Sequence, residues 1–299
     1  AVEPSDAPYN YLAGLKCEKG TVRIYNTGTE GNYKNFFRLK SAAEGSVRTN
    51  DFYVAGDAYL ILSNSVIAHS GNRAALRKTG TGTFEWNGVG SVGDWGRISS
   101  FVAAEGVFRI RLKTSNYPIY GDVHVCDGAC LKTAGNYVFG NGSLTVERGG
   151  IYDASGYTLY LDDFKGDGIL TNITQIQNFK LNHGICRFGG HVYPSGTTAT
   201  ITMLDREAAV AEEDWKMVLT SPDAFSQVWF QMGNSTGAPL GFAAGVEGPF
   251  KVGSIQGNDK PYLILEDEDG NPVDLRANFT NSAKFRAKGS GSFMFTIMP

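Results

Sequence analysis

Short segments that open with glycine and then alternate polar with apolar residues recur along this chain. They include Gly20–Tyr25, Gly45–Thr49, Gly82–Trp86, Gly106–Leu112, Gly121–Val125 and Gly142–Val146. Alternation with a period of two between turn residues is typical of half-buried β-strands. Successive segments lie on average roughly 20 to 25 residues apart, which is the range in which a repeated unit indicates a solenoid.

The strand-like segments are separated by turns and not by regular helices. Parallel strands then require a chain that coils, with each turn stacked about 4.8 Å above the last. We therefore predict an all-β protein built as a parallel β-helix, and two β-sandwiches are the alternative. The main helical signal is Asp205–Leu219, where Asp205 can cap an alanine-rich run. It predicts one short helix.

The composition excludes several classes of protein. Hydrophobic residues make up 42% of the chain, which excludes global disorder. The net charge is −3 and no basic block occurs, so we expect no nucleic-acid partner. No apolar run reaches the ~18 to 20 residues that a membrane span needs, so we expect no membrane span in this segment.

Two neighbouring segments carry a family resemblance. Leu76–Gly88 reads LRKTGTGTFEWNG, and Phe101–Ile110 follows it as FVAAEGVFRI. These segments resemble the autotransporter-associated β-strand repeat, which reads approximately L-x-K-x-G-x-G-T-L-x-L-x-G and then V-x-x-G-x-L-x-V. Leu144–Asp153 and Leu159–Asn172 resemble companion segments of that repeat. The resemblance spans residues 45–200.

The resemblance implies a single-stranded, right-handed parallel β-helix in a bacterial passenger protein that is secreted or displayed at the cell surface. It brings no catalytic residues, because the repeat specifies strand geometry only. We expect residues 1–204 to form rungs with an N-terminal cap. Residues 205–299 match the repeat poorly, and we expect them to form a continuing or capping β-rich region with the short helix and a hairpin. The chain begins at Ala1, which we interpret as the start of a processed chain.

The chain has four cysteines, Cys17, Cys126, Cys130 and Cys186. Cys126 and Cys130 flank a turn in which Gly128 can adopt unusual backbone angles, so a disulfide between them is one interpretation. Two unpaired thiols on neighbouring strands are the other. A zinc site would need two more ligands, because a lone C-x3-C pair is a weak zinc signature. The pairing of Cys17 and Cys186 stays open.

The carboxylates Asp162, Asp163 and Asp167 are candidate site residues because they lie within six residues of one another. Paired carboxylates carry out acid and base catalysis in polysaccharide hydrolases, and clustered carboxylates also bind Ca²⁺. Asp163 and Asp167 also suit a polar turn, and Asp162 would then be an outward strand residue. We favour a solvated turn in which Lys165 keeps the carboxylates ionised.

A second acidic cluster lies between a pair of strand-like runs. Asp267, Asp269 and Asn271 alternate as the ligands of a calcium loop do. An EF-hand would have Gly where Pro272 stands and Glu where Asn278 stands. We therefore favour a hairpin turn over a Ca²⁺ site.

Other motifs give weaker signals. Gly88–Gly93 matches G-x-G-x-x-G, but no amphipathic helix follows to bind a pyrophosphate, so we predict a loop. His124 alternates within a strand and is predicted to be a ladder or surface residue. A group of tyrosines could pack in the core or form a platform for sugar rings if several point outward. Its members are Tyr117, Tyr120, Tyr137, Tyr152, Tyr157 and Tyr160.

These observations favour an exported, non-catalytic passenger or stalk that contacts glycans or cell-surface components and uses no cofactor. A carbohydrate-active β-helix enzyme, either a polysaccharide lyase or a glycosidase, is the alternative. Such an enzyme should have a groove lined by groups with perturbed pKa values. A self-assembling structural protein is the third interpretation. The sequence leaves the ligand, the anchoring mode and the oligomeric state open.

Overall fold

The computed structural model describes most of the chain. The described residues are 10–25, 37–39, 46–63, 67–68, 74–88, 98–112, 119, 121–136, 138–139, 142–179, 185–203, 216–232, 240–256 and 263–280. They form strands and turns, and no helix occurs among them. None of these residues belongs to a helix that could cross a membrane.

The described residues form 28 strands. The first fourteen are β1 (Asn10–Leu12), β2 (Gly14–Cys17), β3 (Gly20–Tyr25), β4 (Phe37–Leu39), β5 (Arg48–Val54), β6 (Ala58–Ser63), β7 (Ile67–Ala68), β8 (Ala74–Thr79), β9 (Thr83–Gly88), β10 (Ser100–Ala103), β11 (Gly106–Leu112), β12 (Val123–Val125), β13 (Ala129–Ala134) and β14 (Ser143–Val146). The others are β15 (Ile151–Asp153), β16 (Thr158–Tyr160), β17 (Asp163–Lys165), β18 (Ile169–Ile173), β19 (Gln175–Phe179), β20 (Ile185–Phe188), β21 (His191–Pro194), β22 (Ala199–Met203), β23 (Lys216–Leu219), β24 (Phe225–Met232), β25 (Leu240–Phe242), β26 (Phe250–Gln256), β27 (Leu263–Asp267) and β28 (Leu275–Thr280).

The strands build five sheets whose neighbouring strands are parallel. The strand orders are β1-β4-β7, β17-β14-β12-β10-β8-β5-β2, β21-β18-β15-β13-β11-β9-β6-β3, β16-β19-β22-β24-β26-β28 and β20-β23-β25-β27. From β8 to β15 the chain passes back and forth between the seven-stranded and eight-stranded sheets. Each rung contributes one strand to each of these two sheets, so the predicted parallel β-solenoid is confirmed. The right-handed winding stays a prediction.

The core is a stack of side chains that the register aligns from rung to rung. One row of the eight-stranded sheet runs through Leu60, Phe84, Phe108, Leu131, Tyr152, Leu170 and Val192. Each of these residues is at most 4% exposed. Across the core, Val123, Val125, Leu144 and Val146 of the seven-stranded sheet are equally buried. A single rung could not cover these side chains, so the stack is stable only as a whole.

The repeat-like motif forms the corner between β8 and β9. Lys78 is fully buried, and its ammonium donates hydrogen bonds to the carbonyl oxygens of Thr79 at 3.2 Å, of Gly80, and of Glu105 at 2.8 Å. A Cβ on Gly82 would lie 1.9 Å from a backbone oxygen of the preceding rung. The Lys-x-Gly-x-Gly spacing therefore has two physical reasons, a buried cation that binds carbonyls and a backbone that leaves no room for a side chain.

The C-terminal region differs from the prediction in detail. The predicted helix at 205–219 lies mostly outside the described residues, and its last four residues form strand β23. The β structure continues across residue 204, because β22 pairs with β24. In the predicted hairpin, Glu266 and Pro272 make one antiparallel bridge, but β27 and β28 belong to different sheets. The chain turns there and then resumes the solenoid.

Candidate functional site

The outer surface of the six-stranded sheet carries two rows of uncharged residues, which we call the neutral face. The first row places one residue on each rung and runs through Thr158, Gln175, Thr200, Trp229 and Ser254. The second row pairs Tyr160 with Gln177 and resumes at Thr202, after the register between β19 and β22 shifts beyond Ile176. Backbone pairing extends the rows to Asn278, and to Gln231, Gln256 and Thr280. Every residue in both rows is uncharged.

A buried row fixes the direction of the neutral face. Leu159, Ile176, Ile201, Phe230 and Ile255 alternate with the face and are at most 4% exposed. Successive side chains of a strand point to opposite sides of its sheet, so Thr158, Gln175, Thr200 and Trp229 point to the outer side.

Accessibility varies along the neutral face. Trp229 is the most accessible aromatic residue of the face, with 45% of its surface exposed, whereas Ser254 on the next rung is covered. The Gln175 amide donates a hydrogen bond to the Thr202 hydroxyl at 3.4 Å. The part of the first row that is open to a ligand therefore runs from Thr158 to Trp229.

Two further exposed aromatic residues lie next to the neutral face along the chain. Tyr157 immediately precedes β16 and is 42% exposed, and Tyr193 in β21 is 45% exposed. The ring of Tyr193 stacks on His191 with centroids 5.8 Å apart. Aromatic rings and neutral hydrogen-bonding groups therefore occur together along the rungs from β16 to β24.

The outer surface of the eight-stranded sheet has a different character, because its central row is charged. Glu85 is buried and accepts hydrogen bonds from the hydroxyl of Tyr59 and, at 2.7 Å, from the amide of Asn87. Arg109 of the next rung lies 3.9 Å from it. Burial alone would raise the pKa of Glu85, but these partners hold it below its ordinary value. Glu85 is therefore an ionised, satisfied carboxylate.

Asp153 occupies the same row and is held in a similar way. It accepts hydrogen bonds from Lys132 at 2.6 Å, Asn172 at 2.8 Å and the backbone N–H of Ser155 at 2.8 Å. Burial acts to raise the pKa of Asp153, and these three donors together lower it. Glu85 and Asp153 are three rungs apart, which is ~14 Å at the spacing of parallel strands. Acid and base pairs of glycosidases stand about 5 to 9.5 Å apart.

The predicted acidic cluster does not form one site. Asp162 and Asp163 are 8% and 2% exposed, and Asp163 pairs with Ser143 in the seven-stranded sheet. Asp167 is half-exposed and lies 3.5 Å from Arg148. The predicted solvated turn is correct for Asp167, whereas Asp163 is a buried residue of β17. Asp162, predicted to be an outward strand residue, precedes β17 and is also buried.

The acidic cluster at Asp267, Asp269 and Asn271 forms a hydrogen-bonded turn. One oxygen of Asp267 accepts bonds from the backbone N–H groups of Asp269 at 2.9 Å and Asn271 at 2.8 Å. The side-chain amide of Asn271 also donates to this carboxylate at 3.1 Å. These bonds, led by the one from the backbone of Asn271, lower the pKa of Asp267. Its oxygens are engaged within the turn, and the hairpin-type interpretation accounts for the cluster.

The four cysteines are free thiols. Cys17 and Cys186 are buried, and burial raises the pKa of Cys186 to about 12. The Cys126–Cys130 disulfide is absent from the structure. Cys126 follows β12 of the seven-stranded sheet and Cys130 lies in β13 of the eight-stranded sheet, so the corner between the sheets separates the two side chains.

Several residues that the sequence singles out lie outside the described residues. They are Tyr117, Tyr120, Tyr137 and most of Gly88–Gly93. Of the other tyrosines, Tyr152 belongs to the core, whereas Tyr157 and Tyr160 lie on or beside the outer surface. The sequence gives no signal for Trp229, because only the register of the rungs places it in one row with Thr158, Gln175 and Thr200.

No match to this chain was found among protein-family models, curated proteins or solved structures. The likeness of residues 76–110 to passenger repeats is therefore a resemblance of short motifs. A proposal for the function therefore rests on the chemistry of the surfaces of the solenoid.

Proposed function

We propose that this chain is a non-catalytic, exported solenoid that binds neutral glycans through the neutral face. The observation that carries the proposal is the pair of uncharged rows on the outer surface of the six-stranded sheet. The central row of the eight-stranded sheet is charged, so the two uncharged rows distinguish the neutral face from that surface.

The chemistry of the neutral face suits a sugar chain. The amides of Gln175 and Gln177 and the hydroxyls of Thr158 and Thr200 both donate and accept hydrogen bonds, as sugar hydroxyls do. The indole of Trp229 offers an apolar surface for the apolar side of a sugar ring. The rows repeat every ~4.8 Å along the solenoid, so a linear polymer lying along them would meet similar groups on successive rungs.

We expect Trp229→Ala to weaken binding of a neutral polysaccharide about tenfold, because a half-exposed aromatic residue is the type that supplies most of the energy of such contacts. Binding is measured by the retardation of the protein in native gels that contain galactomannan or xyloglucan. Gln175→Ala should weaken retardation to a smaller extent. Polygalacturonate, which is charged, should cause little retardation.

The matched control is Tyr53→Ala, which removes an aromatic residue that is 39% exposed on the seven-stranded sheet. It should bind galactomannan and xyloglucan as the unmodified chain does. Equal retardation of the unmodified chain and Trp229→Ala would contradict the assignment to the neutral face. Release of new reducing ends or unsaturated products from the polysaccharides would instead support a glycosidase or lyase.

Export is supported by the resemblance of residues 76–110 to passenger repeats, together with a solenoid of the type that this resemblance implies. A glycan-binding surface is also useful mainly where polysaccharides are found, outside the cell. We expect antibodies against the purified chain to label intact producing cells or to detect the chain in their medium. Detection in the cytosol alone would contradict export and would leave the glycan test unaffected.

A further inference from the structure

A cluster of three different metal-ligating side chains lies on the seven-stranded sheet, away from the neutral face. His124 is the central residue of β12, Cys126 follows the end of that strand, and Glu147 follows β14 on the next rung. The backbone N–H of Glu147 donates to the carbonyl of Val125 at 2.9 Å, which aligns the two rungs at this point. Val125 faces the core, so His124 on its neighbouring position faces outward.

The ligand atoms are already close together. His124 Nε2 lies 2.8 Å from Glu147 Oε1, and one ligand atom from each of His124, Cys126 and Glu147 lies within 4.8 Å of the other two. In a tetrahedral zinc site the ligand atoms are ~3.3 to 3.7 Å apart, as follows from Zn–N and Zn–S bonds of about 2.0 and 2.3 Å. The side chains of His124 and Glu147 are 40% and 44% exposed. Small rotations of these side chains can therefore close the site.

A second contact supports the Glu147 carboxylate. Its other oxygen, Oε2, accepts a hydrogen bond from the backbone N–H of Asp127 at 3.0 Å. Metal-binding carboxylates are commonly held in this way by a group outside the coordination sphere, which fixes their orientation. Glu147 Oε1 is hydrogen-bonded to His124 Nε2, and a metal ion bound by both atoms would replace that hydrogen bond.

We propose that His124, Cys126 and Glu147 form a zinc site, with the fourth position open to water or to an external ligand. Imidazole, thiolate and carboxylate are the side-chain ligands that Zn²⁺ uses. Zinc sites with an open position have three protein ligands, which is the number present here. A thiolate and an imidazole disfavour Ca²⁺ and Mg²⁺, which prefer oxygen ligands. On binding, the Cys126 thiol loses its proton to solvent as its sulfur bonds the metal.

The site also has a structural consequence. It joins β12 to the chain that follows β14, so a bound ion bridges two consecutive rungs at the corner where the chain leaves the seven-stranded sheet. An ion that binds the folded chain only stabilises that chain. The neutral face contributes no ligand, so the zinc proposal and the glycan proposal are independent.

The test uses the full chain, freed of metal with a chelator and kept reduced with a phosphine. Titration with Zn²⁺ should give one ion per chain in competition with a chromogenic chelator, and Co²⁺ should give the near-ultraviolet charge-transfer band of a cobalt–thiolate bond. Cys126→Ser should abolish the band. His124→Ala and Glu147→Gln should each weaken Zn²⁺ binding at least tenfold, because removal of a group that only orients a ligand already lowers metal affinity about 10- to 100-fold.

Cys130→Ser is the matched control because it removes a half-buried thiol of the same turn that lies on the other sheet. It should keep the cobalt band and the Zn²⁺ affinity. The proposal is overturned if the unmodified chain binds no Zn²⁺, or if Cys126→Ser retains the band. It is also overturned if Cys130→Ser loses the band while its circular dichroism is unchanged, because the thiolate ligand would then be the wrong one.

Discussion

Replacement of Phe108 by alanine is expected to lower the free energy of unfolding by about 3 to 5 kcal/mol. Phe108 is fully buried, and its ring lies 4.7 Å from that of Phe84 on the preceding rung and 4.6 Å from that of Phe101 across the core. Alanine would remove the apolar surface that these rings cover and leave a cavity between two sheets. Urea unfolding followed by far-ultraviolet circular dichroism measures the loss.

Val107→Ala is the matched control, because Val107 is the preceding residue of the same strand and faces outward. Its truncation should cost less than about 1 kcal/mol, as is usual for partly exposed positions. A slip of one residue in a strand exchanges its two faces. A larger loss for Val107→Ala than for Phe108→Ala would therefore show that the register of β11 is shifted by one residue.

The strands and their solenoid arrangement could be predicted from the sequence, whereas the register could not. In β11 the run Gly106–Leu112 alternates, but Val107 and Phe108 are both apolar and either could face inward. In the structure Phe108 points inward, in one row with Phe84 and Leu131 of the neighbouring strands. Which face of a strand points inward therefore depends on the strands stacked on it, and the sequence of a single segment does not reveal it.

The candidate sites were harder to predict for the same reason. The zinc interpretation of the sequence considered Cys126 with Cys130 and lacked two ligands. In the structure His124 and Glu147 stand beside Cys126, and Cys130 lies on another sheet. Rungs differ in length, so the residue that stacks on a given position cannot be found by adding a fixed number. The burial of Asp162 and Asp163 could not be predicted for the same reason, because it depends on how neighbouring rungs stack on theirs.

Lys78 belongs to the repeat-like motif, and its buried ammonium also contributes to the stability of the fold. Its ammonium has no access to water and is held by the carbonyls of Thr79, Gly80 and Glu105, while the Glu105 carboxylate accepts the backbone N–H of Gly80 at 3.0 Å. Burial lowers the pKa of Lys78 to about 8, with the charge of Glu105 opposing that effect. Lys78 is therefore protonated at pH 7 in the folded and the unfolded chain.

Lys78→Met should lower the free energy of unfolding at pH 7 by about 2 to 4 kcal/mol, because it leaves buried carbonyl oxygens without their donor. The difference between the two proteins should then grow with pH. Between the folded pKa of about 8 and the unfolded value of 10.5 the unfolded chain binds more protons at this lysine, so the native chain gains stability as pH rises. The methionine variant lacks this gain, which amounts to about 2 kcal/mol from pH 7 to 9.5.

Urea unfolding of the unmodified chain and of Lys78→Met at pH 7, 8.5 and 9.5 measures this growing difference. The other ionisable groups cancel in the comparison because both chains contain them. Lys132→Met, which removes a half-exposed lysine of the charged row, controls for the loss of one positive charge. A constant difference for Lys78→Met would mean that the ammonium at this corner is not desolvated.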